Sequence, residues 1–121
     1  DEVLEQTAAL AREGAAADAF KAWNLPGLQA AFFTKWLWAA SSNNEQRRCL
    51  VQDSLVWASL KAFGWYSVEA AGGTRDRGKR YAAYVEDVHE CARHLSADGN
   101  EVSAEDVEYK LFDMKGDLSR L

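Results

Sequence analysis

The chain has 121 residues, a net charge of −5, 48% hydrophobic residues and a single proline. This size and composition predict one compact domain spanning residues 1–121, and they argue against an intrinsically disordered chain. The acidic balance argues against broad, non-specific binding of nucleic acid, although residues 21–48 are locally basic.

Helical periodicity runs through most of the chain, and no segment alternates apolar and polar residues as a strand does. Breakers and caps divide the periodic segments into six predicted helices. These run from Val3 to Arg12, Ala15 to Trp23, Leu28 to Ala40, Ser54 to Phe63, Arg77 or Gly78 to Leu95, and from a capping-box-like start at Ser103 to Met114. The sequence therefore predicts an all-α fold, a compact bundle of about six helices.

The third predicted helix, Leu28–Ala40, carries one lysine, Lys35, on a surface that is apolar on nearly all sides. Such a helix is typical of a buried central position. In that setting Lys35 either extends its ammonium group to the surface or has a lowered pKa and serves as a nucleophile for Schiff-base chemistry.

Asp53 follows the apolar residues Leu50 and Val51 and lies where the fourth helix should begin. An aspartate in this position is most often an N-cap. It can also be a carboxylate held beside a cleft, where it stabilises developing positive charge or orients a nucleophile. The sequence leaves both roles open.

Several segments together resemble a known family. Leu25-Pro26-Gly27, placed before a helix, resembles the hairpin of the helix-hairpin-helix DNA glycosylases. Residues 33–37 and 52–56 resemble the lysine and aspartate segments of the 8-oxoguanine DNA glycosylase-like group, and residues 107–112 resemble its closing helix. The resemblance covers roughly Asn24 to Phe112.

This resemblance implies a base-excision DNA repair enzyme, a hydrolase acting on double-stranded DNA that carries 8-oxoguanine or another altered base. Backbone amides near Gly27 would hold a phosphate, and the target nucleotide would be flipped into a pocket. Asp53 would assist cleavage of the N-glycosidic bond, and Lys35 would attack the sugar C1′ if the enzyme also nicks the strand. Gln29 stands where the family hairpin has a second glycine, and Lys35 lies a helical turn further along than the family nucleophile.

Two groups of basic residues are candidates for DNA binding. The denser group lies at the start of the fifth predicted helix: Arg75, Arg77, Lys79 and Arg80. The second group is Arg47 and Arg48. Each group is either a solvated surface or a set of phosphate contacts. If the chain is an enzyme, Lys35 and Asp53 should open onto one cleft, with residues 75–80 on the same face.

No metal or cofactor is predicted. His89, Cys91 and His94 share one helix without the spacing of a ligand set, and glycine-rich phosphate loops are absent. The apolar runs are too short to cross a bilayer, so we expect a cytoplasmic protein with no membrane partner.

A non-catalytic helical module that binds a protein partner or DNA is the alternative to an enzyme. The acidic charge, the short chain and Gln29 favour this alternative. The ordered match of several segments favours the glycosylase.

Overall fold

The computed structural model describes residues 2–25, 29–65, 76–96 and 99–121. Within these ranges the chain forms six α-helices and one short 3-10 helix, and it has no strand. The α-helices are α1 (Glu2–Arg12), α2 (Ala16–Ala22), α3 (Ala30–Ala40), α4 (Ser54–Ala62), α5 (Arg77–Leu95) and α6 (Ala104–Met114), and the 3-10 helix is Leu118–Arg120. The predicted all-α fold is confirmed.

Side-chain caps fix where the later helices begin. Asp53 caps α4, and Asp76 caps α5 by accepting a hydrogen bond from the Lys79 amide at 3.0 Å. The predicted capping box is also confirmed, since Ser103 and Asp106 bond each other's backbone amides at 3.1 and 2.9 Å. These caps satisfy amides that a helix leaves without partners in its first turn.

Helix α5 is the longest and packs against both α2 and α6. Helix α4 packs against α6, and α1 packs against α2 and α3. Two fully buried tyrosines of α5, Tyr81 and Tyr84, lie in the core that these helices enclose. In the part of the chain that the structure describes, no helix is both long and apolar enough to cross a membrane.

The prediction that the third helix is buried on nearly all sides is wrong. Phe33, Thr34 and Leu37 of α3 are buried, whereas 57% of Phe32 is exposed and Lys35 also lies on the surface. The reason is that α3 covers one side of the bundle. Its inner face packs on the core, and its outer face meets solvent despite its apolar composition.

The predicted helix-hairpin-helix element centres on Pro26 and Gly27, which lie outside the described residues, as does Arg75. On either side of this gap, α2 ends at Ala22 and α3 begins at Ala30. The hairpin, and the phosphate contact expected near Gly27, therefore stay predictions.

Candidate active site

Residues 48–53, which we call the extended segment, form no helix; they join the loop after α3 to the start of α4, and Cys49 and Leu50 are fully buried in the core. Three carbonyl oxygens of this segment accept hydrogen bonds from side chains of α5. The pairs are Tyr81 Oη with Leu50 at 2.7 Å, Tyr84 Oη with Val51 at 2.8 Å, and His89 Nε2 with Arg48 at 2.7 Å. Helix α5 thus fixes one edge of the segment along most of its length.

Side chains from other helices accept the amide hydrogens of the same segment. Two of these acceptors are buried hydroxyls, Thr34 in α3 and Ser41 directly after it, and each also donates to a carbonyl oxygen of α3. The third acceptor is a carboxylate of α6. The pairs are Ser41 Oγ with the Cys49 amide at 3.0 Å, Thr34 Oγ1 with Gln52 at 2.9 Å, and Glu108 Oε2 with Val51 at 3.4 Å. Side chains therefore supply the partners that a β-ladder would otherwise supply.

This support ends at Asp53. Its Oδ1 atom accepts hydrogen bonds from the amides of Leu55 and Val56, at 2.9 and 3.0 Å. Its Oδ2 atom accepts no hydrogen bond from any described residue. Asp53 is therefore an N-cap, which is one of the two roles that the sequence left open. Its Oδ2 atom remains able to interact with a substrate or water molecule.

The Asp53 cleft, a cavity of about 930 Å³, lies beside this carboxylate. Its aromatic lining residues are Phe20, Trp23, Phe33 and Trp57. Ala30 and Ala31 of α3, and Gln52 and Ser54 on either side of Asp53, complete much of the remaining wall. The cleft therefore combines flat apolar surfaces with a single carboxylate among its described residues.

Two arginines from the first turn of α5 also line the Asp53 cleft. The Arg80 guanidinium lies 4.5 Å from the centre of the Trp57 ring, and the Arg77 guanidinium lies 5.9 Å from the centre of the Phe20 ring. Stacking on aromatic faces holds each cation at the wall. The cleft thus has positive charge at the side formed by α5 and negative charge at the start of α4.

Lys35 does not line the Asp53 cleft. It lines a second, mostly apolar cavity of about 390 Å³, which we call the Lys35 groove, together with Trp38, Val51, Glu105, Glu108, Tyr109 and Phe112. Val51 faces this groove, whereas Gln52 and Asp53 face the cleft. The extended segment therefore separates the two candidate catalytic residues that the sequence predicted to share one cleft.

Glu108, in the Lys35 groove, is the most perturbed carboxyl group among the described acids. Burial raises its pKa from 4.5 to about 7, and the neighbouring carboxylates of Glu105 and Asp53 act in the same direction. The Val51 amide and Arg48 oppose this rise by favouring the charged form. Glu108 is thus an acid that titrates near neutral pH and bonds the backbone two residues before Asp53.

The basic residues predicted to bind DNA do not form one surface. Arg77 and Arg80 line the Asp53 cleft, and Lys79 is exposed on the same helical turn. The Arg48 guanidinium instead lies 4.2 Å from the centre of the Trp38 ring, and its Nε donates to the Trp38 carbonyl. Arg47 lines a separate cavity of about 590 Å³. Of the described residues in the two groups, the structure thus brings Arg77 and Arg80 to the Asp53 cleft.

Sequence reasoning missed three features of these sites. No site residue was predicted at Phe20 or Trp23, because their spacing of three residues near the end of α2 indicates only a helix. Nor was a role predicted for Glu108, although Ala104, Glu108 and Leu111 share one helical face. A carboxylate on an otherwise apolar helical face indicates a buried acid, and this pattern could have identified Glu108 from the sequence.

Comparison with protein families gives a match that covers residues 1–112. The matching family is described as "Putative 8-oxoguanine DNA glycosylase OGG-like protein". The chain belongs to this OGG-like family. Membership implies DNA as its partner, and it confirms the resemblance to the 8-oxoguanine DNA glycosylase-like group. The chain matches no curated protein and no solved structure.

Proposed function

We propose that this OGG-like protein is a DNA glycosylase that hydrolyses the N-glycosidic bond of a modified base, with Asp53 as its catalytic carboxylate. The observation that carries the proposal is the position of Asp53. It is fixed by two backbone hydrogen bonds at the wall of an aromatic cleft that also contains Arg77 and Arg80. An aromatic cleft suits a base taken out of the helix, and the arginines suit the flanking phosphates.

In the proposed reaction, the C1′–N bond of the extruded nucleotide breaks and its electron pair leaves with the base. The Oδ2 atom of Asp53 stabilises the positive charge that develops on the sugar, then orients a water molecule and accepts its proton. The water oxygen bonds to C1′ and leaves an abasic sugar. Fixing Oδ1 by two amides keeps the carboxylate oriented, so little reorganisation is needed in the transition state.

We further propose that base release is not accompanied by strand cleavage through a Schiff base. That chemistry requires an amine that reaches C1′ in the same cavity as the aspartate. Lys35 lines the other cavity, and Ala31, one helical turn before it, lines the Asp53 cleft without an amine. The basic groups among the described lining residues of the cleft are arginines, which do not form Schiff bases because they stay protonated.

The test measures base release and borohydride trapping on duplex DNA containing 8-oxoguanine or another altered base. We expect Asp53→Asn to slow base release by roughly 10² to 10³-fold, the range observed when an oriented electrostatic group is removed. Asparagine is also a good N-cap, so this variant should keep its fold, which a thermal melt checks. Lys35→Gln should release base at the wild-type rate.

Each alternative outcome has a separate meaning. A borohydride adduct that disappears in Lys35→Gln would establish the lysine as the nucleophile and contradict the hydrolytic proposal. Neither adduct nor base release, on several modified bases, would favour a non-catalytic module that binds DNA or a protein partner.

A further inference from the structure

Three side chains, each from a different helix, hold the backbone directly before Asp53. Glu108 of α6 accepts a hydrogen bond from the Val51 amide at 3.4 Å, Tyr84 of α5 donates to the Val51 carbonyl at 2.8 Å, and Thr34 of α3 accepts from the Gln52 amide at 2.9 Å. Burial raises the pKa of Tyr84 well above 10, and a threonine hydroxyl stays neutral in water. Of these three groups, the Glu108 carboxyl is therefore the one whose charge changes near neutral pH, because burial raises its pKa to about 7.

We propose that Glu108 is a positioning residue for Asp53: its ionised carboxylate binds the Val51 amide and thereby fixes the backbone that carries the catalytic carboxylate. This inference rests on the proposed glycosylase function, and it places control of that reaction in the Lys35 groove. Glu108 lines the groove, on the other side of the extended segment from the cleft in which the base would bind. It therefore acts through Asp53 and not on the substrate.

The charge of Glu108 determines how strongly it holds this amide. A carboxylate accepts a stronger hydrogen bond than a neutral carboxyl group, and the bond to Val51 in turn favours the ionised form of Glu108. The ionised form also adds negative charge near Asp53, which favours the positive charge that develops on the sugar. Base excision should therefore accelerate as pH rises through neutrality.

The charges around Glu108 leave its bond to Val51 as the main consequence of its ionisation. Charged and titratable groups face it from the elements around it: Glu105 on α6, Arg48 and Asp53 on the extended segment, Lys35 on α3 and Tyr84 on α5. Glu105 and Asp53 oppose the ionisation of Glu108, whereas Arg48 favours it, so these influences partly cancel. Among the described residues, the Val51 amide alone donates a hydrogen bond to Glu108.

The first experiment follows base release from duplex DNA containing 8-oxoguanine or another altered base, under single-turnover conditions between about pH 6 and about pH 8. The wild-type rate should rise about fivefold over this range, because a charged acceptor replaces a neutral one. Glu108→Gln keeps an acceptor of similar shape but has no charge to gain, so its rate should rise less than twofold. Glu105→Gln is the matched control and should keep most of the rise. Thermal melts at each pH confirm that every variant is folded.

The second experiment tests the same link without DNA. The amide signals of Val51, Leu55 and Val56 are followed by two-dimensional NMR over the same pH range. Leu55 and Val56 donate to Asp53 Oδ1, so they report where that carboxylate lies. All three signals should shift with a common midpoint near pH 7 in the wild type, and none should do so in Glu108→Gln.

The outcomes separate this inference from the glycosylase proposal. A rise in rate that persists in Glu108→Gln would overturn the inference, because another group would then cause it. Titration of the Val51 signal without those of Leu55 and Val56 would also contradict it, since the charge of Glu108 would not reach Asp53. If no base is released at any pH, the glycosylase proposal fails, whereas titration of all three amides would still establish the link from Glu108 to Asp53.

Discussion

The Asp53 cleft and the Lys35 groove lie on opposite sides of one extended segment, and they differ in almost every property that matters for chemistry. The cleft is the larger cavity and combines aromatic walls with Asp53, Arg77 and Arg80. The groove is smaller, mostly apolar, and contains Lys35 and Glu108. Closeness along the chain therefore does not assign two residues to one site. Thr34 and Lys35 are neighbours, yet the first supports the cleft and the second faces the groove.

Replacing Thr34 should impair the Asp53 cleft more than any other change considered in this Discussion. Thr34→Val keeps the shape of this buried side chain but leaves the Gln52 amide, next to Asp53, without its acceptor. We expect the free energy of unfolding to fall by about 1–3 kcal/mol. Base excision should slow by roughly 10 to 100-fold, because a small displacement of a catalytic group is costly. Urea titration and single-turnover kinetics measure the two effects.

Ser41→Ala is the matched control for Thr34→Val, because the Ser41 hydroxyl accepts a hydrogen bond from the Cys49 amide, further from Asp53 in the same segment. It should lower stability by a similar amount and leave the rate of base excision within a few fold of wild type. Similar losses of rate in both variants would contradict a specific role for the Thr34–Gln52 hydrogen bond, because any weakening of the segment would then displace Asp53.

In the Lys35 groove, the raised pKa of Glu108 predicts how the stability of the protein depends on pH. This pKa is raised to about 7 in the folded state from an ordinary value of 4.5, so the folded state binds more protons between these values. The free energy of unfolding should therefore fall as pH rises from about 4.5 to about 7, and Glu108 should cost on the order of 2 kcal/mol above that range. Glu108→Gln keeps an acceptor for Val51 and should remove this slope, as measured by urea unfolding at a series of pH values.

Glu105→Gln changes a carboxylate on the same helix and serves as the control. Because Glu108 remains in that variant, most of the slope should remain. If the free energy of unfolding still falls between pH 4.5 and 7 in Glu108→Gln, a titratable group other than Glu108 causes the pH dependence.

The basic residues Arg77 and Arg47 should also differ in their contribution to DNA binding, although by a smaller amount. Arg77→Gln and Arg47→Gln each remove one exposed cation, but only Arg77 lines the Asp53 cleft. We expect Arg77→Gln to weaken DNA binding about fivefold and to reduce the slope of log K against log salt by about 1. Arg47→Gln should leave both unchanged in fluorescence anisotropy titrations. Equal effects would mean that DNA also covers the face that contains Arg47.

Local chemistry accounts for the part of the fold that the sequence predicted correctly. Caps such as Asp53 and the Ser103–Asp106 box act within a few residues, so their effect can be recognised from spacing alone. The family resemblance likewise depended on short segments and was confirmed by the match over residues 1–112.

The arrangement of the sites could not be predicted in the same way, because it depends on tertiary packing. The periodicity of α3 does not reveal which of its apolar faces is covered, and this decides where Lys35 lies. The hydrogen bonds from Tyr81 and Tyr84 to the extended segment span more than thirty residues of sequence. The sequence places both tyrosines on the apolar face of one helix, and helical spacing does not indicate that their hydroxyl groups bond a distant backbone.

The extended segment also determines when the site can exist during folding. The side chains that bond its backbone come from residues between 8 and 57 positions away, so each bond closes a loop whose entropy must be overcome first. No helix can hold the segment alone, because its partners come from α3 and the turn after it, α5 and α6. Partly folded chains therefore lack the buried segment that places Asp53 beside its cleft, even where the local cap of α4 has formed.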